Sequence, residues 1–475
     1  MAAVAEDLTV EASLDDSLSR VVDERLRSLD QDQVIPRIWR SDHTLWSDRP
    51  TEITDRLGWL PAPHRSRHLI PDLRSFADQA VADGLTHAVL LGMGGSSLAP
   101  EVLVRTLGVA EGMLDLTVLD TTHPDAVAAV ERSVPLDRTL FVVSSKSGTT
   151  IETRSHLDYF LERAGRPDRF VAITDPGTPL EQDALAAGFR RVFSAPPEVG
   201  GRYSALTVFG LFPAALIGAD LDALLASAVR AAQACGAGGS VGANPGAVVG
   251  TIAASASLTG RDKLTLHLDE PMVGLGSWIE QLVAESTGKE GRGIVPVDGE
   301  PPAPMRAVGS DRLFLALDDR PPGEPWVRLP LKGPADLGAA FFVLEFATAV
   351  AGHVLGITPF DQPDVQAAKD RTDEVLRSGE VPEELPAEVD TVLGHVQGGD
   401  YVAIQAFVNP SPETRDRLQA ARVRIRDRLG LATTLGFGPR YLHSTGQLHK
   451  GGPNTGIFLQ VFEDPTEDLA VPGRD

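Results

Sequence analysis

A carboxylate, an amide and an ammonium recur at four-residue spacing in SWIEQLVAESTGKEGRG (Ser277–Gly293), as Gln281, Glu285 and Lys289. On a helix the three share one face. Two readings fit that face. Glu285 and Lys289 form an exposed ion pair, or Glu285 is a catalytic carboxylate aimed into a pocket, where burial and neighbouring charges tune its acidity.

Two further stretches could hold a ligand. SSKSGTTIET (Ser144–Thr153) carries hydroxyls at Ser145, Ser147, Thr149 and Thr150, a cation at Lys146, and Gly148 to turn backbone N–H groups inward. That composition suits a phosphate dianion at a helix N-terminus. The alternative is a capped helix start with spare hydroxyls. The GxxxxGK[ST] spacing is absent, so a nucleoside triphosphate is not expected. LLGMGGSSLAP (Leu90–Pro100) follows an apolar run, and Asp120 closes the next one. A dinucleotide fingerprint starting at Gly92 would need glycine where Ser97 stands, which leaves a turn that packs a helix closely.

These loops must be held by something, and the surrounding pattern says what. THAVLLG, LDLTVLD, TLFVVSS, RFVAITD and FRRVFS are short apolar runs between Leu85 and Asp220, separated by stretches with helical periodicity. Continuous apolar runs of that length fit strands buried on both faces, and their alternation with helices predicts a doubly wound parallel sheet. CGAGGSVGANPGA (Cys235–Ala247) reads as a linker. A second alternation follows with KLTLHLD, GIVPVD, RLFLALDD and WVRLPLK, and helices are expected at 277–286 and 337–355. SGEVPEELPAEVD (378–390) reads as a loop, while YVAIQAFV and GIFLQVFED read as later strands.

Composition narrows the partners. The chain has 475 residues and a formal charge of −23, from 43 basic and 66 acidic side chains, which disfavours nucleic acid or an anionic membrane surface. Cys235 is the only cysteine, so no internal disulfide forms, in keeping with a reducing cytoplasm. The acidic N-terminus lacks the pattern of a signal peptide. The apolar stretch 337–360 contains Glu345 and His353, costly in lipid, and is expected to be a core helix with no membrane role.

SSKSGTTIET resembles the phosphosugar loop of sugar-isomerase (SIS) domains. EVGGRYSALT (Glu198–Thr207) resembles the glycine-arginine signature of phosphoglucose isomerases, EQLVAESTGK that family's base-bearing segment, and GITPFDQPDVQAAK (Gly356–Lys369) its second signature. LLGMGGSSLAP is similar to its first glycine loop. Two positions depart from the pattern: Asp364 replaces a small residue, and Ser97 a common aspartate. The closing GPRYLHSTGQLHKGGPNTGIFLQV resembles the end of the isomerase half of fused transaldolase–phosphoglucose isomerases, and no transaldolase part is recognised.

The resemblance implies an α/β fold of two SIS-type doubly wound, three-layer αβα domains with parallel sheets, at 79–235 and 236–430. An N-terminal helical arm (1–78) and a C-terminal extension (431–475) complete it. It implies aldose–ketose isomerisation of a sugar phosphate, glucose 6-phosphate to fructose 6-phosphate, without metal or organic cofactor. A dual phosphoglucose/phosphomannose isomerase and a non-catalytic sugar-phosphate sensor are the alternatives. By the resemblance, Glu285 is the base, Arg202 stabilises the developing oxyanion, and Gln281 and Gln362 contact sugar hydroxyls. Ser145, Lys146, Ser147, Thr149 and Thr150, with the Gly95–Ser96 turn, hold the phosphate, and Lys369 takes part in ring opening. The family's ring-opening histidine is missing, because 290–341 contain none. His443 or His449 is expected to replace it, with His449 preferred, while His353 is read as a core residue. A homodimer is also implied.

Overall fold

The computed structural model describes residues 8–302, 308–379 and 388–473. Its strands are β1 (Glu11–Ser13), β2 (His87–Gly92), β3 (Asp115–Leu119), β4 (Thr139–Ser144), β5 (Phe170–Thr174), β6 (Arg191–Ser194), β7 (Lys263–His267), β8 (Val295–Val297), β9 (Arg312–Ala316), β10 (Trp326–Arg328), β11 (Tyr401–Phe407), β12 (Ala432–Phe437) and β13 (Gly456–Phe462). They form three sheets, in the orders β3-β2-β4-β5-β6, β1-β10-β9-β7-β8 and β12-β11-β13.

The first sheet is wholly parallel. Strand side chains alternate between faces. Accordingly Ala88 and Leu90 of β2, with Leu140 and Val142 of β4, join a core that includes Val102 and Phe209. Val89 and Leu91, with Phe141 and Val143, pack instead against Val127, Leu157 and Phe160. Both faces are covered, giving the expected three layers. The strand order reverses at β2: β2 leads into the Leu98–Leu107 helix on one face, while its neighbour β4 leads into the Ile151–Ala164 helix on the other. A crevice therefore opens beyond the carboxyl end of β2, where ligands bind in such sheets.

The second sheet is parallel except for β1, which pairs antiparallel with β10. The segment expected to be a purely helical arm thus also supplies an edge strand. The Leu337–Leu355 helix occupies the range expected for it and is almost entirely buried. It is a core helix: Phe342 and Phe346 pack against Trp39 and Trp59. His353 Nδ1 lies 2.8 Å from the Leu45 carbonyl.

Two expected boundaries fall differently in the structure. Cys235 is fully buried, and its carbonyl accepts from Trp39 Nε1 at 2.8 Å. The far end of the supposed linker is already helix, because Asn244 Oδ1 caps Ala247 N at 2.9 Å. The border drawn at residue 430 cuts the third sheet, since β11 pairs in parallel with both β12 and β13. ATTLGF, which forms β12, has no apolar run and gave no strand signal. That sheet packs onto the Glu285 helix (Leu275–Thr287) and β8 through Tyr401, Ala403 and Ala432 against Ala284, Val295 and Val297. Of the loop expected at 378–390, residues 380–387 lie outside the described residues, and Val389–Leu393 is helical.

Candidate active site

The turn after β2 sets the geometry. A Cβ on Gly95 would lie 2.2 Å from the Gly201 carbonyl oxygen, so only glycine lets this turn seat against the Gly201–Tyr203 turn. That contact brings Arg202 into the crevice, where it is 4% exposed. A Cβ on Gly94 would lie 2.9 Å from Gln281 Nε2 and 2.8 Å from the His443 carbonyl, so the same turn also touches the Glu285 helix and the C-terminal segment. Ser96 is buried, and its carbonyl accepts from Ser144 Oγ at 3.1 Å.

Arg202 uses its whole fork. Nη1 lies 2.8 Å from Glu285 Oε1 and donates to Gln362 Oε1 at 2.8 Å. Nε donates to Ser286 Oγ at 2.8 Å, and Nη2 to the carbonyls of Pro359 (2.8 Å) and Asp361 (3.0 Å). The arginine therefore both ties down the 359–362 loop and faces the carboxylate, so neither role excludes the other. Gln281 Nε2 donates to Glu285 Oε2 (2.9 Å) and to the His443 carbonyl (2.8 Å), which fixes the second carboxylate oxygen. Among the described residues, Gln281 Oε1 is buried without a hydrogen-bond partner, an acceptor beside the carboxylate that is open to a donor.

Lys289 does not form the exposed pair with Glu285. It is 2% exposed, beyond the end of the helix, and its ammonium donates to Asp361 Oδ1 (2.7 Å) and to the carbonyls of Thr358 (2.8 Å) and Asp361 (2.7 Å). Burial, and next the charge of Arg202, pull its pKa down to about 8 against the opposing pull of Asp361.

The hydroxyl loop closes the other side. Ser145 is buried, with Oγ 3.2 Å from Thr150 Oγ1 and accepting from Gly148 N at 3.2 Å. Ser147 and Thr149 are exposed, their hydroxyls 3.0 Å apart. Thr150 begins the Ile151–Ala164 helix without a side-chain cap, which leaves the first N–H groups of that helix open to an anion. Lys146 turns away from the loop: its ammonium meets Asp175 Oδ2 at 2.5 Å and the Pro197 carbonyl at 3.2 Å. Asp175 follows β5, the next strand over, and claims it.

The two histidines separate. His443 Nε2 lies 2.8 Å from Glu152 Oε1, in the first turn of the hydroxyl-loop helix. Burial would raise the Glu152 pKa, but the hydrogen bond and charge of His443 bring it below the usual value. His449, the preferred candidate, packs among Tyr401, Tyr441 and Phe458, with Nδ1 3.1 Å from Gln405 Nε2. Burial lowers its pKa to about 3. It belongs to the interior of the third sheet, because its helix turns it toward β11 while His443 faces the crevice. Lys369 and Gln362 are exposed at the Pro363–Ser378 helix and its start, and only Gln362 contacts the cluster.

Glu152, Ser286 and Asp361 received no role from sequence reasoning. Glu152 stands inside SSKSGTTIET, yet an acid in a first helical turn is explained by the helix dipole alone. Both departures have local partners. Ser97 Oγ donates to Asp120 Oδ2 at 3.2 Å, and Asp364 Oδ2 accepts from Gln447 Nε2 at 2.6 Å.

Two doubly wound layers, with a hydroxyl-rich loop and a buried carboxylate–guanidinium pair at the crevice, give an α/β fold of the SIS type. Comparison with known proteins narrows this. The family model for phosphoglucose isomerase matches residues 64–294. The glucose-6-phosphate isomerase of Rubrobacter xylanophilus is 28% identical over 406 residues, 71% of this chain and 91% of that relative. The crystal structure of a glucose-6-phosphate isomerase from Chlamydia trachomatis superposes with a TM-score of 0.65 at 18% identity, covering 80% of this chain and 90% of that one. A hypothetical protein from Thermus thermophilus gives a TM-score of 0.62 at 25% identity, covering 77% and 100%. Residues 64–294 are thus similar to the phosphoglucose isomerase family, and most of the chain is similar to glucose-6-phosphate isomerases.

Proposed function

We propose that this protein interconverts glucose 6-phosphate and fructose 6-phosphate, with Glu285 carrying the proton between C2 and C1. The observation that carries the reading is a run of direct contacts across the crevice. Glu152, at the phosphate-type loop, meets His443 (2.8 Å), whose carbonyl meets Gln281 (2.8 Å), which meets Glu285 (2.9 Å). In this reading a hexose 6-phosphate lies along that run, its phosphate at the loop and C1–C2 at Glu285.

The steps follow from the side chains. The phosphate sits on the hydroxyls of Ser145, Ser147, Thr149 and Thr150 and the open N–H groups of the helix start, beside the Gly95–Ser96 turn. Lys146 contributes charge from a distance, through its loop position. His443, oriented by Glu152, exchanges a proton with the ring oxygen and the C1 hydroxyl to open the sugar. Glu285 then removes the C2 proton; the C–H electron pair forms the C1–C2 double bond and the C1 carbonyl pair moves onto O1, giving a cis-enediolate. The O2 hydroxyl proton passes to O1, the C2 carbonyl forms, and the same carboxyl returns its proton to C1. Arg202 stabilises the oxygen on which charge develops, an arrangement worth most where water is excluded. Gln281 Oε1 and Gln362 bind sugar hydroxyls. Lys369 remains in the proposal as a second participant in ring opening, supported by its place in the second signature.

A homodimer in a reducing cytoplasm belongs to the same reading, supported by the family and by a lone, buried cysteine. The test is a coupled assay from fructose 6-phosphate, scoring glucose 6-phosphate and mannose 6-phosphate separately. Turnover to glucose 6-phosphate, cut about 10³-fold or more in Glu285→Gln, is expected. A Glu285→Gln enzyme that keeps a tenth of its rate sinks the assignment of the base.

A further inference from the structure

Behind the catalytic crevice lies a second cavity of about 490 Å³, in the range of small-molecule sites. It opens between the carboxyl end of β3, the outer face of the Glu285 helix, and the third sheet. Glu280 points into it, on the side of the helix opposite Glu285.

Its lining mixes cations with acids: Arg105 and Arg415 stand there with Glu101, Asp120, Glu280, Asp298 and Asp416. The Arg415 guanidinium lies 4.5 Å over the Phe437 ring and its Nε donates to the Pro410 carbonyl at 3.0 Å. Among the described residues it has no carboxylate within ion-pair distance, and burial together with the charge of Arg440 lowers its pKa. Among the described residues Arg105 forms an ion pair with Glu101 alone, at 3.9 Å. Two guanidinium groups with spare donors thus face one cavity. Among these acids Glu280 and Asp298 are both raised in pKa by burial, Glu280 to about 7. Carboxyl groups of that kind exchange hydrogen bonds with hydroxyls.

We propose that this cavity is a second ligand site, for a small hydroxyl-bearing organic phosphate whose anionic end sits on Arg105 and Arg415 and whose hydroxyls reach Glu280. Its occupancy is read by the catalytic segment, a consequence that rests on the role given above to His443. Ser444 Oγ donates to Glu280 Oε1 at 3.2 Å, and Arg440 pairs with Glu101 and with Asp120 Oδ2 (3.1 Å). These contacts hold the ends of the 440–444 turn that carries His443. A ligand hydroxyl on Glu280 displaces Ser444 and frees His443 from its place beside Gln281. The ligand therefore lowers kcat, whereas the same compound in the catalytic crevice only raises KM.

Glycerol 3-phosphate is the probe, titrated calorimetrically into the wild-type protein and into Arg105→Gln and Arg415→Gln. Both side chains are exposed, so both variants are expected to fold. Two binding events are expected in the wild type, and one of them weakens at least tenfold in each variant, as loss of a charge-assisted contact requires. Basal isomerisation stays within about twofold in both, since neither side chain touches the catalytic groups. The fall in kcat caused by glycerol 3-phosphate disappears in the variants while the rise in KM persists. Isotherms that both substitutions leave unchanged, whether they show one event or two, overturn the proposal. Inorganic phosphate binding as tightly as glycerol 3-phosphate overturns the hydroxyl assignment. Calorimetry does not depend on turnover, so it separates failure of this site from failure of the isomerase reading.

Discussion

Replacing His443 by alanine isolates ring opening from proton transfer between carbons. The imidazole Nε2 is 2.8 Å from Glu152 Oε1, and the Glu152 side chain is only 14% exposed, so the pair is fixed and shielded. Loss of a positioned acid–base group costs about 10²- to 10⁴-fold. Because the His443 carbonyl, not its ring, anchors Gln281, the Glu285 geometry survives the substitution. We expect kcat/KM for cyclic glucose 6-phosphate to fall about 10²- to 10³-fold in His443→Ala. Exchange of the C2 proton of a four-carbon aldose 4-phosphate, which has no free hydroxyl placed to close a ring, should change less than about fivefold, since that step needs only the base. Deuterium uptake followed by NMR measures the exchange, and a coupled assay the isomerisation. His449→Ala should leave both rates within about threefold and lower the melting temperature, because it removes a ring packed among three others. Equal loss on cyclic and acyclic substrates in His443→Ala would refute the reasoning, as would a selective loss in His449→Ala.

Arg202→Lys cannot reproduce a fork that serves Ser286, Glu285, Gln362 and two carbonyls. It should reduce kcat about 10²-fold and destabilise the protein by about 3 kcal/mol, read from assay and chemical denaturation. Gly95→Ala puts a methyl group 2.2 Å from the Gly201 oxygen, so the Arg202 turn must shift; a loss of about 1–3 kcal/mol and of most activity is expected. Lys289 has a folded-state pKa of about 8 against an ordinary 10.5. The cost of its buried charge is present below pH 8. Between the two values the unfolded chain binds the extra proton, so stability rises with pH. Wild-type stability relative to Lys289→Met should therefore grow by up to about 3 kcal/mol across that interval, at 1.36 kcal/mol per pH unit. A flat difference contradicts the burial argument.

The elements that carry the site were legible because they are local. Strands buried on both faces leave continuous apolar runs, and β2, β4 and β5 are such runs; β12, polar and glycine-containing, left none and was missed. Gln281 and Glu285 share a face simply because helix rotation places residues four apart together, and the structure keeps them 2.9 Å apart. Lys289 obeys the same count but lies past the helix end, so its partner was a question for the tertiary fold, which gave it Asp361.

The sequence by itself determined the strands and helices that carry the site, which loops are rich in hydroxyls, and which carboxylate stands beside an amide. Only the tertiary structure decided which groups meet. His443 is 291 residues from Glu152 and 162 from Gln281, and His449, six positions on, faces the other way. Local periodicity fixes the direction of a side chain relative to its own helix or strand. What lies in that direction depends on packing between segments far apart in the chain, and that packing is set by the burial of whole faces.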